Sequence, residues 1–142
     1  MLEEPSFELI DNALEAFNSH DIDRYMDLFA ENATYCQSTF SDPKKGREAI
    51  KQGFINKSFK PFPDIKIDTN DIFFRGDMLC VTGNLKGTHK NPLKMRGQTI
   101  LPTNKNIEIP ICLVMKIEDG KIQEVNEYID QMSYLSQLRN DS

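Results

Sequence analysis

The apolar positions keep two different periods, and the change comes near the middle of the chain. In the first half, Phe7, Ile10, Ala13, Leu14 and Phe17 recur at helical spacing behind Pro5 and Ser6, a candidate cap. Asp21 is the expected cap of a second helix, with Ile22, Tyr25, Met26, Leu28 and Phe29 on its apolar face. Only Ser19-His20 joins the two, so they should pack as a pair, with His20 in solvent. Ala33 to Phe40, rich in Thr, Tyr and Phe, predicts a first strand that Ser41-Asp42-Pro43 breaks. Gly46 opens a third helix reaching about Lys57, with Ile50 and Phe54 facing inward.

From Ile65 the period becomes two. Ile65 and Ile67 alternate with Lys66 and Asp68, and Ile72 to Arg75 and Met78 to His89 flank the turn Gly76-Asp77. In the longer arm Leu79, Val81, Leu85 and His89 share a face. Lys90 to Asn106 reads mostly as loop, with room for a short strand over Met95 to Leu101. Ile107, Ile109, Ile111, Leu113, Met115 and Ile117 then fall on one face of a long strand. The turn Glu118-Asp119-Gly120-Lys121 leads into a last strand ending at Asp130, and an amphipathic tail with Leu135 and Leu138 follows. Helices first and hairpin-linked strands afterwards is the α+β pattern, a curved sheet with helices over one face.

Composition narrows the function classes. The 142 residues suffice for one domain, 1–142, with a single core, and no repeat or second domain is marked. A net charge of -5 with only short basic stretches argues against nucleic acid. No apolar run has the length of a membrane span and the acidic start is unlike a signal peptide, so a cytoplasmic protein is expected. Cys36, Cys80 and Cys112 have no Cys-x-x-Cys spacing and read as buried free thiols. The two histidines are far apart and lack a paired carboxylate spacing, so no metal site is expected.

In the last strand Asn126, Tyr128 and Asp130 make one row, and Val125, Glu127 and Ile129 the other. A row of amide, phenol and acid suits a strand lining a pocket, so the first row is expected to face one.

A family resemblance is carried by pieces that run in order across nearly the whole chain. They are Phe17-Asn18-Ser19-His20-Asp21-Ile22-Asp23, Leu28-Phe29-Ala30, Gly46-Arg47-Glu48, Phe62-Pro63-Asp64-Ile65, Gly76-Asp77, Gly87-Thr88-His89, Pro102-Thr103, Ile117 to Ile122 and Glu127-Tyr128-Ile129-Asp130. Together they resemble the SnoaL-like polyketide cyclases and ester cyclase relatives, within the nuclear transport factor 2-like, ketosteroid-isomerase-like superfamily. The resemblance implies a cone-shaped α+β barrel of cystatin-like fold. In it a strongly bent, mixed but mostly antiparallel sheet wraps around N-terminal helices and a deep apolar pocket. It also implies a homodimer, a small hydrophobic ligand or substrate, and chemistry without cofactor or metal.

By the same resemblance Asp130 is the expected general base and His89 an assisting group. Asn126, Tyr128, Tyr35, Phe17 and Phe54 are candidates for contacting the substrate, although Phe17 and Phe54, with Phe29, Phe73 and Phe74, read more readily as core. Ring closure of a polyketide-like carbonyl compound needs a base for an acidic C–H and a donor for the enolate oxygen. A carboxylate serves as that base when an apolar pocket raises its pKa. His89 or Tyr128 would be the donor. The plainer readings are an Asp130 that caps the tail and a half-buried His89 bonded near a loop. In function, the rival to a cyclase or isomerase is a non-catalytic small-molecule-binding module or dimeric scaffold of the same fold.

Overall fold

A computed structural model describes residues 4–37, 42–95 and 97–139. Helices α1 (Glu4–Asn18) and α2 (Ile22–Asp27) come first, then strands β1 (Phe29–Gln37) and β2 (Lys44–Lys45) and helix α3 (Arg47–Phe54). Helix α3 runs on into a π-helical turn, Ile55–Phe59. Strands β3 (Lys66–Arg75), β4 (Met78–Thr88), β5 (Leu93–Met95), β6 (Gln98–Ile100), β7 (Asn106–Glu118) and β8 (Lys121–Ile129) follow, and helix α4 (Gln131–Arg139) closes the chain. The α+β class holds.

Six strands form one sheet in the order β2-β1-β8-β7-β4-β3, while β5 and β6 make a separate hairpin. The sheet is mixed because β1 and β8 run parallel, whereas β8, β7, β4 and β3 pair antiparallel. It does not close into a barrel: β2 and β3 remain as edges.

Strand β7 shows how the sequence makes the sheet. Its six apolar residues from Ile107 to Ile117 are all buried and the residues between them are not. On β4, Leu79, Val81 and Leu85 face the same core. Gly83 sits beside the bulge of β3 between Thr69 and Asp71, where any Cβ would collide with the Asp68 carbonyl oxygen. Helix α1 is tied to β3 by Asn18, whose carboxamide donates to the Ile67 carbonyl at 3.0 Å and accepts from the Ile67 amide at 2.8 Å.

Several local expectations change. Helix α1 begins at Glu4, so Ser6 is inside it and not its cap. Phe29 opens β1 instead of closing the second helix, and Ser38 to Phe40, read as strand, lie outside the described residues. His20 is half-buried, with Nε2 2.6 Å from the Ile65 carbonyl oxygen and its ring against Phe59. Phe73 and Phe74, expected in the core, are 57% and 39% exposed, because the bulged β3 is an edge strand. The cysteines are free but only half-buried, with Cys80 and Cys112 Sγ atoms 3.5 Å apart across β4 and β7. Burial and the neighbouring thiol push Cys80 up to about 11.

Candidate functional site

The inner row of β8 is the opposite of the expected one. Ile117 pairs with Ile122 and Lys116 with Glu124, so Gln123 is an extra residue in β8. A bulge of this kind reverses the alternation. Ile122 faces inward before it and Val125 and Glu127 after it, all three buried. Asn126 is half-buried on the other face and Tyr128 is 47% exposed. The pocket-facing reading of Asn126 and Tyr128 is therefore corrected.

Asp130 is exposed just past the end of β8. Its carboxylate accepts from the Ser133 amide at 3.1 Å and its carbonyl from Tyr134 at 3.0 Å, which makes it the cap of α4. It does not line the cavity.

That cavity has a volume of about 500 Å³ and lies between the inner sheet face and the helices. Phe17, Tyr35 and Phe54 all line it, together with Tyr25, Ile50, Leu113 and Tyr134. Its aromatic wall is held edge-to-face, with Phe54 5.2 Å from Tyr25 and 5.0 Å from Tyr35. Helix α3 and its π-helical turn contribute one face: Ile50, Gly53, Phe54, Lys57 and Ser58 stand at i, i+3, i+4, i+7 and i+8.

Glu127 is the ionisable group inside. It is only 7% exposed, and its two carboxylate oxygens accept separately, from the Tyr35 hydroxyl at 2.5 Å and from Gln37 Nε2 at 2.6 Å. The parallel pairing of β1 with β8 makes this possible, since it sets Gln37 opposite Glu127 and Tyr35 opposite Val125. Burial raises the Glu127 pKa above the ordinary glutamate value, and the two donors offset only part of that rise. The field of Glu127 adds to burial in raising the pKa of Tyr35, Tyr25 and Tyr134, so one carboxyl is ringed by phenols that keep their protons. Gln131, at the start of α4, brings a further polar group to the wall: its side-chain oxygen is buried and has no hydrogen-bond partner.

His89 is elsewhere. It is fully buried, packs on Phe62 at 5.5 Å and does not line the cavity. Its Nδ1 accepts from the Thr103 amide at 3.3 Å and lies 3.1 Å from the Thr103 hydroxyl. The neutral ring therefore carries its proton on Nε2, which has no partner in bonding geometry. Burial lowers the His89 pKa, and the Asn91 backbone offsets part of that.

Of the missed residues Glu127 and Gln37, the first had a readable signal: Glu127 stands between the apolar Val125 and Ile129 in the row that any core-facing strand would turn inward. Among the described residues no three His, Cys, Asp or Glu side chains gather as a metal site would require. No helix among them is long and apolar enough to cross a membrane.

A helix-flanked mixed sheet around an inner cavity is the architecture of nuclear transport factor 2-like and ketosteroid-isomerase-like proteins, and known structures match it closely. A candidate SnoaL-like polyketide cyclase from Jannaschia sp. CCS1 is 17% identical with a TM-score of 0.84, over 99% of this chain and 95% of that one. IdmH, a candidate polyketide cyclase from Streptomyces antibioticus, is 26% identical with a TM-score of 0.76, over 96% and 99%. TerC, crystallised with polyporic acid, is 15% identical with a TM-score of 0.73, over 96% and 100%. No curated protein sequence matches the chain. The model of the family described as SnoaL-like polyketide cyclase matches residues 8–138, and the chain belongs to that family.

Proposed function

We propose that this protein is a cofactor-free cyclase or isomerase that moves a proton on an apolar, polyketide-like carbonyl compound, with Glu127 as the base. One observation carries the reading: a buried carboxyl of raised pKa, held by Tyr35 and Gln37, faces an apolar cavity of about 500 Å³. That volume suits a small organic molecule. Membership of the cyclase family supports the reaction class, and the ligand in TerC supports a small-molecule role for such a cavity.

In the proposed step the Glu127 carboxylate takes a proton from the carbon next to a carbonyl, and the electron pair moves onto the carbonyl oxygen as an enolate. A protonated Glu127 no longer needs the Tyr35 hydrogen, so that hydroxyl is free to turn to the enolate oxygen. The enolate carbon then attacks a second carbonyl held within the same cavity, whose π pair moves onto its oxygen and takes the proton from Glu127, or a conjugated enolate takes that proton back at another carbon; either way the carboxylate is restored. Asp130 and His89 have no part in this step, the first because it caps α4 and the second because it is sealed away from the cavity.

The rival is a binding module, favoured by the fact that both Glu127 oxygens already have partners. Hydrogen–deuterium exchange at the acidic carbon of an apolar 1,3-diketone, followed by NMR in D₂O, separates the two. Wild type should accelerate exchange, Glu127→Gln should lose on the order of a hundredfold or more, and Asp130→Asn should keep the wild-type rate. Equal exchange by wild type and Glu127→Gln would remove Glu127 as base, and a diketone bound without acceleration would favour the module.

We also propose a homodimer through the outer face of the sheet, where Phe73, Met78 and Tyr128 are exposed. Sedimentation at rising concentration tests it; a monomer at every concentration would end the idea.

A further inference from the structure

Among the described residues, the charged ones lining the cavity apart from Glu127 are Asp42, Lys44, Lys57 and Lys94, all of them exposed. The three lysines come from adjoining elements. The stem of Lys44, on β2, passes Gly53 of α3, where an added Cβ would stand 3.8 Å from Lys44 Cε. Lys57 lies one turn beyond Gly53 in the π-helical turn, and that turn touches β5, which carries Lys94. Among the described residues none of the three has an ion-pair partner, whereas Lys51, Lys86 and Lys116 are paired with Asp23, with Asp68 and Glu108, and with Glu118. Among the described residues three cations against one exposed acid, Asp42, stand at this rim, with Glu127 buried behind them, in a chain whose net charge is -5.

We propose that the ligand is an amphiphilic acid, its apolar body in the cavity and its oxyanion held at the rim by Lys44, Lys57 and Lys94. The inference rests on the reading that the cavity takes a ligand, and not on turnover. Long stems on Lys44 and Lys57 let the ammonium groups follow an anion while their methylenes cover apolar surface. The rim selects for charge, and the aromatic wall selects for shape.

The test uses two fluorescent probes that differ in one group: 1-anilinonaphthalene-8-sulfonate and its uncharged parent, N-phenyl-1-naphthylamine. Wild type should bind the sulfonate more tightly, with an affinity that falls as salt rises, while the parent shows no salt dependence. Lys44→Gln/Lys57→Gln/Lys94→Gln should lose roughly tenfold for the sulfonate and keep its affinity for the parent. Lys45→Gln/Lys60→Gln/Lys66→Gln, which removes the same charge from outside the lining, should change neither. Leu113→Trp, which fills the cavity, should abolish both.

Two outcomes are distinct. If wild type binds neither probe, or Leu113→Trp leaves both bound, the cavity reading itself fails and this inference with it. If both probes bind in the cavity but the rim variant changes neither, or the control variant changes the sulfonate as much, only the rim proposal is overturned.

Discussion

Glu127 and His89 are the two buried polar side chains in the described core, and they live in opposite kinds of surroundings. Glu127 has a partner for each oxygen and empty volume beside it. Among the described residues His89 has no partner for Nε2 in bonding geometry, and it lies fully buried outside the cavity, against Phe62 and Thr103. Burial shifts the pKa of both toward the neutral form. What separates a site from a piece of core is the space a second molecule can enter, and only the carboxyl has it. A buried polar group with a shifted pKa is therefore not enough to mark a reacting centre.

Stability should split the pair most widely. His89→Ala removes a fully enclosed ring and should cost about 3 kcal/mol by urea unfolding. Glu127→Gln keeps the volume and removes a desolvated charge, so about 1 kcal/mol is expected. A Glu127→Gln loss as large as that of His89→Ala would make the carboxyl a structural element and break the contrast.

The pH dependence should have opposite signs at the two places. Glu127 has a folded pKa above the ordinary 4.5, so the native state keeps a proton that the unfolded chain releases. Its contribution to stability is present below 4.5 and is lost as pH rises through the folded value. His89 has a folded pKa below the ordinary 6.5, so the unfolded chain takes up a proton first and stability is lost as pH falls below 6.5. Relative to wild type, Glu127→Gln should flatten the decline above 4.5. His89→Gln should flatten the one below 6.5. Parallel curves for either variant and wild type would refute that residue's assignment.

A smaller effect concerns the carboxyl alone. The Tyr35 hydroxyl holds the Glu127 pKa down against burial, so Tyr35→Phe should move it further up, as read by carbon-13 NMR of labelled glutamate. No movement would mean that the phenol is not its donor in solution. The smallest change is expected at Asp130. Asparagine caps a helix about as well as aspartate, so Asp130→Asn should cost about 0.5 kcal/mol or less. A larger loss would show that the acid does more than cap α4.

How much of this was legible in the sequence differs from strand to strand. In β7 each inward position is apolar, an unbroken row of six from Ile107 to Ile117, so the strand and its facing were readable without a neighbour. The Gly76-Asp77 and Asp119-Gly120 turns were equally plain and fixed the β3–β4 and β7–β8 hairpins. The β5–β6 pair, three residues a side, was too short to show a period and was read mostly as loop. The site failed at two points. The row of Asn126, Tyr128 and Asp130 was turned inward for its chemistry, whereas the bulge at Gln123 puts Val125 and Glu127 on the inner face, and His89 lies outside the cavity. Tyr35, Phe17 and Phe54 were identified because aromatic residues announce themselves, whereas Glu127 was marked only by the apolar Val125 and Ile129 of its row, and its bonds to Tyr35 and Gln37 by nothing local. That neighbourhood is made by a parallel pairing of β1 with β8, between residues some ninety positions apart, which no local pattern records.

The extra residue in β8 has a genetic consequence. Losing the single codon for Gln123 would bring the pairs Ile117–Ile122 and Lys116–Glu124 next to each other in an unbroken ladder, and Val125 and Glu127 would go on facing the cavity. The interior lining is thus indifferent to a one-codon deletion that, in a strand without a bulge, would turn every later residue to the other face. A cysteine put at Val125 would report it, because its thiol should stay protected from reagents with and without Gln123.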